Sequence, residues 1–359
     1  MKKLDLYIIK KFLGTFFFAL LLIVFVAVIF DLSEHLEDFI EKKAPLRAIL
    51  FEYYLNFIPY FANLFSSLFT FIAVIFFTSK MAFNTEIVAI LSSGISFRRM
   101  MFPYFVSAVV ISVFSFVLSS YIIPPANKAR LDFEERYIRN FRQFTQHNFH
   151  KQIEPGIAIY LERYNTKGDV GIKFSMEKFE NNELKIKLNS EMIQWDSLSG
   201  KWKIKYYRIR YINDSISEKI ETGNELDTLI NLHPSEFRIR DNIVETMNYS
   251  QLSNFIEEQR AQGIQNIETY LIEKYRRIAF PFATFILTLI GVSLASRKVK
   301  GGIGLHIGLG FLFSFSYILF MQISTTFAIS GQMNTLLSVW IPNIVYAIIA
   351  IFLYKVAPK

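Results

Sequence analysis

The stretch NTEIVAILSSGISFRR lies between two long apolar runs and contains a single acid, Glu86. Asn84 or Thr85 can cap a helix that begins here, and the helix dipole stabilises an acid in the first turn. Gly94 can end the helix in a left-handed turn. We therefore predict a short capped helix over residues 84–94 that presents one carboxylate at a membrane surface.

One face of this predicted helix is apolar, because three residues fall at i, i+3 and i+4, namely Ile87, Ile90 and Leu91. Arg98 follows, where a cation can contact lipid headgroups at the start of the next apolar run. The segment is either a connector that lies in the lipid surface or a docking helix that offers Glu86 to a cation and its apolar face to a groove. The residues alone leave both hypotheses open.

Polar and small residues within the apolar runs form two further candidate sites. A helix would place Glu52, Asn56 and Asn63 on one face, where they hold helices together or face a substrate, because lipid cannot satisfy them. The run GGIGLHIGLGFLFSFSY places Gly304 and Gly308 four residues apart. That spacing predicts a face that another backbone can approach closely, either for packing or as an opening seam.

No set of residues typical of catalysis is present. The sequence has neither a G-x-x-x-x-G-K-[ST] phosphate loop nor an H-E-x-x-H zinc motif, and it has no cysteine. His147 and His150 lack a carboxylate partner, and we interpret them as surface residues. We expect no catalytic residue, no metal and no cofactor bound by this chain. Energy for any work must then come from a partner or from an ion gradient.

The apolar runs themselves predict an integral membrane protein. The chain has 359 residues, of which 52% are hydrophobic, and its charges are bunched. Windows without charge span 12–30, 53–79, 100–127 and 278–296, and His306 is the one ionisable residue between Lys300 and Lys355. A helix needs about 20 apolar residues to cross a bilayer, so the last window holds two crossings. We predict six transmembrane helices, three within residues 1–125 and three within 269–359.

The distribution of charge predicts the orientation. The net charge is +8, and lysine and arginine collect at both termini and in the loops after the second and fourth spans. By the positive-inside rule both termini are cytoplasmic. The basic balance therefore reflects membrane topology, and no nucleic-acid partner is implied.

Residues 126–268 form one block between the third and fourth spans, which this topology places on the outer face of the membrane. Segments such as GIAIYLERYN and KWKIKYYRIRYI alternate apolar and polar residues and are separated by turn signals. We predict an inserted antiparallel β domain, a sandwich or jelly roll.

Several motifs in this order are similar to those of the LptF/LptG permeases. The segment at 84–96 resembles the coupling helix of that family, S/T-E-L/I-V-x-x-x-A/S-S/A-G-x-S/T. Further matches are Leu4-Asp5-x-Tyr7, Tyr121-Ile122-x-Pro124, Tyr249-Ser250-x-Leu252, Tyr275 with Pro281, Gly308–Tyr317 and Trp340-x-Pro342-Asn343. The short length and the opening motif favour an LptG-like member.

The resemblance implies a function and a set of partners. Family members pair as an LptF–LptG heterodimer, bind an LptB ATPase dimer that holds ATP and Mg²⁺, and extract lipopolysaccharide from the inner membrane. Their β-jellyroll passes the lipid to a periplasmic bridge together with LptC. The other function that we consider is a membrane-anchored envelope sensor or scaffold with a β-type binding domain, which would need no ATPase.

The resemblance also implies roles for individual residues. Glu86 corresponds to the coupling-helix acid that contacts a basic residue of LptB, and Ile87, Ile90, Leu91, Gly94 and Arg98 surround it. The first and fifth spans of the family line a substrate cavity with lateral gates. The corresponding residues are Phe18, Leu22, Phe25 and Phe30 in the first span, and Gly304, Leu305, Gly308, Leu309 and Leu312 in the fifth.

One feature departs from the family pattern. Family members often carry cations at the outer end of the first span, facing the phosphates of lipid A. This chain has Asp31 and Glu34 there, and Lys42, Lys43 and Arg47 follow only later. Either the partner supplies the cations or the lipid carries fewer phosphates.

Overall fold

The structure is a computed structural model, and the chain divides into two compact units. It describes residues 3–138, 145–166, 168–181, 183–212, 218–234, 237, 243–262, 267–297 and 302–357. The first unit comprises Met1–Ile138, Val244–Leu252 and Glu268–Lys359, and the second comprises Arg139–Ile243 and Ser253–Ile267. Residues 126–138, predicted to open the β domain, belong to the first unit because they continue the third span as a helix.

The first unit is helical. Its elements are α1 (Lys3–Glu41), α2 (Leu46–Ala48), α3 (Leu55–Phe83), α4 (Glu86–Ser92), α5 (Phe97–Val117), α6 (Ile123–Tyr137), α8 (Ile267–Ala295), α9 (Gly302–Ile329) and α10 (Thr335–Val356). The helix α7 (Tyr249–Ala261) begins in this unit and continues in the second. π-Helical stretches, Ile49–Tyr54 and Leu118–Ile122, join α2 to α3 and α5 to α6. Each joined rod is therefore one candidate span.

The prediction of six apolar spans is confirmed. Within the described residues, six helices are long and apolar enough to cross a membrane: Lys3–Glu41, Leu46–Phe83, Phe97–Tyr137, Ile267–Ala295, Ile303–Ile329 and Thr335–Val356. Three precede the inserted strands and three follow them, as the charge-free windows predict.

The helix α3 lies at the centre of the first unit and packs against both α1 and α9. On the α1 side, the ring of Phe77 stacks on both Phe12 and Tyr104, with centroids 5.6 and 5.2 Å away, and the three rings form one cluster. On the other side, Gly310 of α9 brings its backbone against Ile75, and a Cβ there would lie 3.0 Å from the Ile75 side chain. Close packing of this kind replaces the hydrophobic effect as the force that holds helices together in lipid.

The second unit is an antiparallel meander. Its strands are β1 (Thr145–Glu154), β2 (Ile157–Asn165), β3 (Val170–Glu180), β4 (Glu183–Asp196), β5 (Lys201–Ile212) and β6 (Glu218–Thr228). Each strand pairs with the next, in the order β1-β2-β3-β4-β5-β6. The inserted antiparallel β domain is thus confirmed. Within the described strands, the predicted sandwich or jelly roll takes the form of one six-stranded sheet with consecutive pairing.

A row of kinks crosses this sheet. Asn148, Lys173 and Tyr206, on alternate strands, have left-handed φ values of 52°, 53° and 53°. The register places them in one row with Glu162 and Glu191 of the strands between them. Left-handed backbone is unfavourable for residues with a Cβ, so three such residues in one row mark a shared bend.

The bend explains how both halves of the sheet face one core. Buried positions step by three residues across the row instead of two, from Leu161 to Tyr164 in β2 and from Ser190 to Ile193 in β4. The step of three adds one residue between two buried positions. Without it, strict alternation would point the buried side chains of one half of each strand away from the core. The core closes on Trp202, whose indole N–H donates to the Leu232 carbonyl at 2.7 Å.

Candidate functional site

The short helix α4 exists where the sequence predicts it, but its N-terminus is built differently. Thr85 has a left-handed φ of 61°, and its side chain does not cap the helix. The side-chain amide of Asn84 instead donates to the carboxylate of Glu86, with its nitrogen 3.3 Å from Oε1. The predicted cap is therefore wrong, because the turn after α3 rotates both side chains away from the free N–H groups. Gly94 does adopt the predicted left-handed conformation, with φ of 84°.

Glu86 is half-buried and has a second partner far away in the sequence. The hydroxyl of Tyr7 in the first turns of α1 donates to Oε2 of Glu86 at 3.0 Å. The carboxylate thus lies between α1 and the turn that precedes α4. A carboxylate has about four acceptor sites, so these two hydrogen bonds leave room for a further cation.

The apolar face of α4 points into the protein. Ile87 is buried in a cluster with residues of α1, α3 and α5, and Ile90 and Leu91 pack against the same cluster. The exposed side of α4 is instead formed by Val88, Ala89 and Ser92. This burial argues against a connector lying passively in the lipid surface. Any groove of a partner would meet the exposed side of α4 rather than the Ile/Leu face.

Basic residues after α4 have different surroundings. Arg98 is exposed. Arg99 reaches back to α1 and makes two hydrogen bonds of 2.7 Å to the carboxylate oxygens of Asp5. The side chain of Asp5 is only 2% exposed. Sequence reasoning missed this pair, because the two residues are 94 positions apart and each resembles an ordinary interfacial charge.

The predicted cavity residues of α1 lie on a face that the described chain does not cover. Phe18, Leu22, Phe25 and Phe30 are exposed to between 47% and 72% of their surface. The opposite face of α1 is buried in the core along the stripe Ile8, Phe12, Phe16, Leu20 and Val24. The helix therefore has one protein-facing side and one apolar side that the described residues leave largely exposed.

The helix α9 shows the same division. Leu305 and Leu312 are exposed, and Leu309 is half-buried. A Cβ added to Gly304 or Gly308 would meet no atom within 4 Å. The small-residue face predicted for helix approach is thus open within this chain and free for another molecule.

The three predicted intramembrane polar residues do not share a site. Glu52 forms an ion pair with Arg136 at 2.7 Å, and the Asn56 amide donates to backbone carbonyls one turn earlier. Asn63 accepts a 2.6 Å hydrogen bond from Ser115 of α5. Glu52 and Asn63 thus both contact the continuous rod Phe97–Tyr137, as expected for polar residues that hold helices together. Each contact joins helices or satisfies the backbone.

The acids at the end of α1 are held by neighbouring side chains. Asp31 accepts a 3.0 Å hydrogen bond from the Tyr53 hydroxyl, and His35 lies within 3.9 Å of Asp31 and 3.5 Å of Asp38. Glu34 is exposed. The half-buried Asp31 therefore takes part in a contact between helices. It does not present a surface charge at the position where family members often carry lipid-facing cations.

A buried polar cluster near residue 245 was not anticipated from the sequence. Arg277 of α8 is 5% exposed and donates to the carbonyls of Met247 and Val244 at 2.6 and 2.9 Å, and to Glu273 at 3.0 Å. Burial raises the pKa of the Glu245 carboxyl, and nearby Glu273 raises it further. A cavity of about 100 Å³ adjoins this cluster. The charged run EKYRR was the available sequence signal for this cluster. The backbone carbonyls that Arg277 contacts, however, lie 30 and 33 residues away in the chain.

The comparison with known families gives the identity of the fold and its cellular role. The model for the lipopolysaccharide export system permease LptF/LptG matches residues 6–356, which is nearly the whole chain. No curated protein matches the sequence at a significant level. The family and the six apolar helices indicate a multi-pass protein of the inner membrane. The chain belongs to the LptF/LptG family of lipopolysaccharide export system permeases.

Proposed function

We propose that this chain is the permease subunit of an ABC transporter that extracts lipopolysaccharide from the inner membrane. It pairs with a paralogous LptF/LptG permease, and a cytoplasmic LptB-type ATPase dimer supplies the energy. ATP and Mg²⁺ bind to that ATPase, and this chain performs no chemistry of its own. The observation that carries the proposal is the exposure of α1 and α9. Both present wide apolar faces, whereas the spans that contain α3 and α8 are mostly buried.

The substrate cavity forms between those faces and the matching helices of the partner permease. Acyl chains are apolar, and the side chains of Phe18, Phe25 and Leu312 offer them contacts without a buried polar group. The open Gly304–Gly308 face lets the backbone of the partner approach and withdraw, as a lateral gate requires.

The helix α4 receives the motion of the ATPase. Glu86 is half-exposed and retains acceptor capacity for a basic residue of the ATPase, while Val88, Ala89 and Ser92 form the surface beside it. Closure of the ATPase dimer displaces α4, tilts the spans and drives the lipid out of the cavity. With both termini in the cytoplasm, the β unit lies in the periplasm, where it passes the lipid to an LptC-like bridge protein.

A charge reversal at α4 tests this proposal. The Glu86→Lys variant is expected to uncouple the two activities, so that lipid release falls at least tenfold while the protein stays folded, because a close charge pair is replaced by repulsion. Glu86→Gln removes the charge but keeps one acceptor oxygen, which can still receive the Tyr7 hydroxyl, and should lie between. Glu257→Lys, an exposed reversal on α7, serves as the control. Undiminished release by Glu86→Lys would exclude the coupling role.

Purification distinguishes the transporter from the alternative of an envelope sensor or scaffold. A permease subunit is expected to co-elute with a paralogue, an ATPase and lipopolysaccharide. A sensor would elute without an ATPase and would tolerate Glu86→Lys. Mass spectrometry of the purified assembly decides between the two.

A further inference from the structure

The first turn of α1 is bound to the start of α5 by a buried ion pair. Asp5 and Arg99 meet through two parallel hydrogen bonds of 2.7 Å, and Asp5 is almost completely buried. Burial of a carboxylate is unfavourable unless it is paired, so the pairing with Arg99 stabilises Asp5 in this position. The two-bond geometry also fixes the direction of approach, which a single contact does not. This contact therefore holds the end of α1 in one place on α5.

A second contact joins the same turn of α1 to α4. Tyr7 lies two residues after Asp5, and its hydroxyl donates to Oε2 of Glu86 at 3.0 Å. Asn84 holds the other oxygen at 3.3 Å. The carboxylate is thus oriented by one group from α1 and one from its own turn before any partner binds.

The backbone does not connect α4 rigidly to its neighbours. Thr85 before α4 and Gly94 after it both have left-handed φ values, 61° and 84°, so helical geometry is interrupted at both ends. A displacement of α4 is therefore passed on chiefly by side-chain contacts. Those contacts are the packing of Ile87, Ile90 and Leu91 against a cluster shared by α1, α3 and α5, and the Glu86–Tyr7 hydrogen bond, which leads to α1 specifically.

We propose that Tyr7 and Asp5 are positioning residues that transmit the displacement of α4 to α1. Tyr7 orients Glu86 and moves with it, while the Asp5–Arg99 pair is the pivot that keeps the end of α1 on α5. Because α1 is one continuous helix from Lys3 to Glu41, a tilt at its first turn moves its exposed apolar face. The inference rests on the proposed function, since it assigns how the coupling reaches the substrate cavity.

The decisive experiment uses the purified transporter complex in lipid nanodiscs. Tyr7→Phe removes one hydroxyl and no packing, and Tyr121→Phe makes the same change at an exposed position of the third span. We expect ATP hydrolysis by Tyr7→Phe to stay within about twofold of wild type, whereas lipopolysaccharide released per ATP falls about tenfold, as for a lost hydrogen bond to a charged group. Tyr121→Phe should match wild type in both measurements. A wild-type ratio of release to hydrolysis in Tyr7→Phe would overturn the proposal.

A distance measurement tests the motion directly. The chain has no cysteine, so cysteines introduced at Leu21 on α1 and at the exposed Ser93 directly after α4 can carry spin labels without background. In the wild type, α1 and α4 should move together when ATP hydrolysis is trapped with vanadate, and the distance between the labels should stay constant. In Tyr7→Phe and Asp5→Asn the distance should change, because α4 moves without α1. A constant distance in Tyr7→Phe would contradict the link even if Asp5→Asn fails to fold.

Failure of the inference differs from failure of the proposed function. If the wild-type complex releases no lipid on ATP hydrolysis, the transporter assignment fails and the link fails with it. If the wild type is coupled and Tyr7→Phe is equally coupled, the assignment stands and only the link is wrong.

Discussion

The helices α8 and α9 follow each other in the chain and have similar hydropathy, 2.1 and 1.8, yet they are packed in opposite ways. In the most apolar stretch of α8, 61% of residues are buried, compared with 22% in that of α9. Hydropathy measures how well a helix tolerates lipid, and both helices tolerate it. The comparison teaches that hydropathy alone does not distinguish a helix held by its neighbours from one that keeps a face open.

The composition of the two helices supports that reading. The buried face of α8 is made of small residues, including Ala279, Ala283, Thr284, Thr288 and Gly291. The exposed face of α9 combines large residues, including Leu305, Phe311, Leu312 and Phe315, with Gly304 and Gly308. Small residues let backbones approach, so dispersion contacts and interhelical hydrogen bonds stabilise α8. The glycines of α9 that could do the same, Gly304 and Gly308, have no neighbour in this chain.

The largest effect that would sharpen this comparison is expected at two adjacent arginines of α8. Arg277→Ala leaves Glu273 and the carbonyls of Val244 and Met247 without their donor, and should lower stability by about 3–5 kcal/mol, as for a broken buried ion pair. Arg276→Ala is the matched control, because that side chain is exposed and the change should stay within about 1 kcal/mol. Thermal unfolding in detergent measures both. Equal losses would show that burial of Arg277 does not anchor α8.

A smaller effect is expected from one substitution made in each helix. Gly291→Ala would place a Cβ 2.8 Å from a Val74 methyl group and 3.2 Å from the Phe71 ring, and should cost about 1–3 kcal/mol. Gly308→Ala meets open space and gains helix propensity, so its stability should be unchanged or higher by up to about 1 kcal/mol. Unfolding midpoints of the two variants decide the point. A loss in Gly308→Ala as large as in Gly291→Ala would mean that the face of α9 is covered in the isolated chain.

The smallest effect on stability, with a functional consequence, is expected on the open face of α9. Leu312→Trp enlarges an exposed side chain and should change stability by no more than about 0.5 kcal/mol. If this face lines the substrate cavity, release of lipopolysaccharide should fall several-fold. Phe352→Trp, an equally exposed position on α10, should leave release unchanged. Equal release by both variants would show that α9 does not line the cavity. The exposed faces of α9 and α10 would then not differ in function.

Much of the architecture was predictable from local patterns. Charge-free windows predict the six spans, because a bilayer core imposes a minimum apolar length on any helix that crosses it. Alternation in segments such as KWKIKYYRIRYI predicts the antiparallel strands, and Gly94 marks the end of α4. The cap at Thr85 was mispredicted, because the turn after α3 sets the backbone there and overrides the preference of the residue.

The candidate site was predictable only in outline. The sequence places Glu86 in the first turn of α4, but Tyr7, its hydrogen-bond donor, is 79 positions away. Glu52 and Asn63 were predictable as helix contacts, but their partners Arg136 and Ser115 are 84 and 52 positions away. Such partners are missed because periodicity carries no information about contacts between distant segments.

By itself the sequence determined that this chain is a six-span membrane protein with an inserted β domain, since hydropathy and alternation follow from the solvent each segment must face. Only the tertiary structure decided which face of each span is covered, that the Ile87 side of α4 is buried, and that Asp5 pairs with Arg99. The physical reason is that lipid and protein interiors are equally apolar. Composition therefore cannot distinguish a helix face that packs within this chain from a face left open for lipid or a partner. The tertiary structure makes that distinction, because it shows which side chains pack against α3.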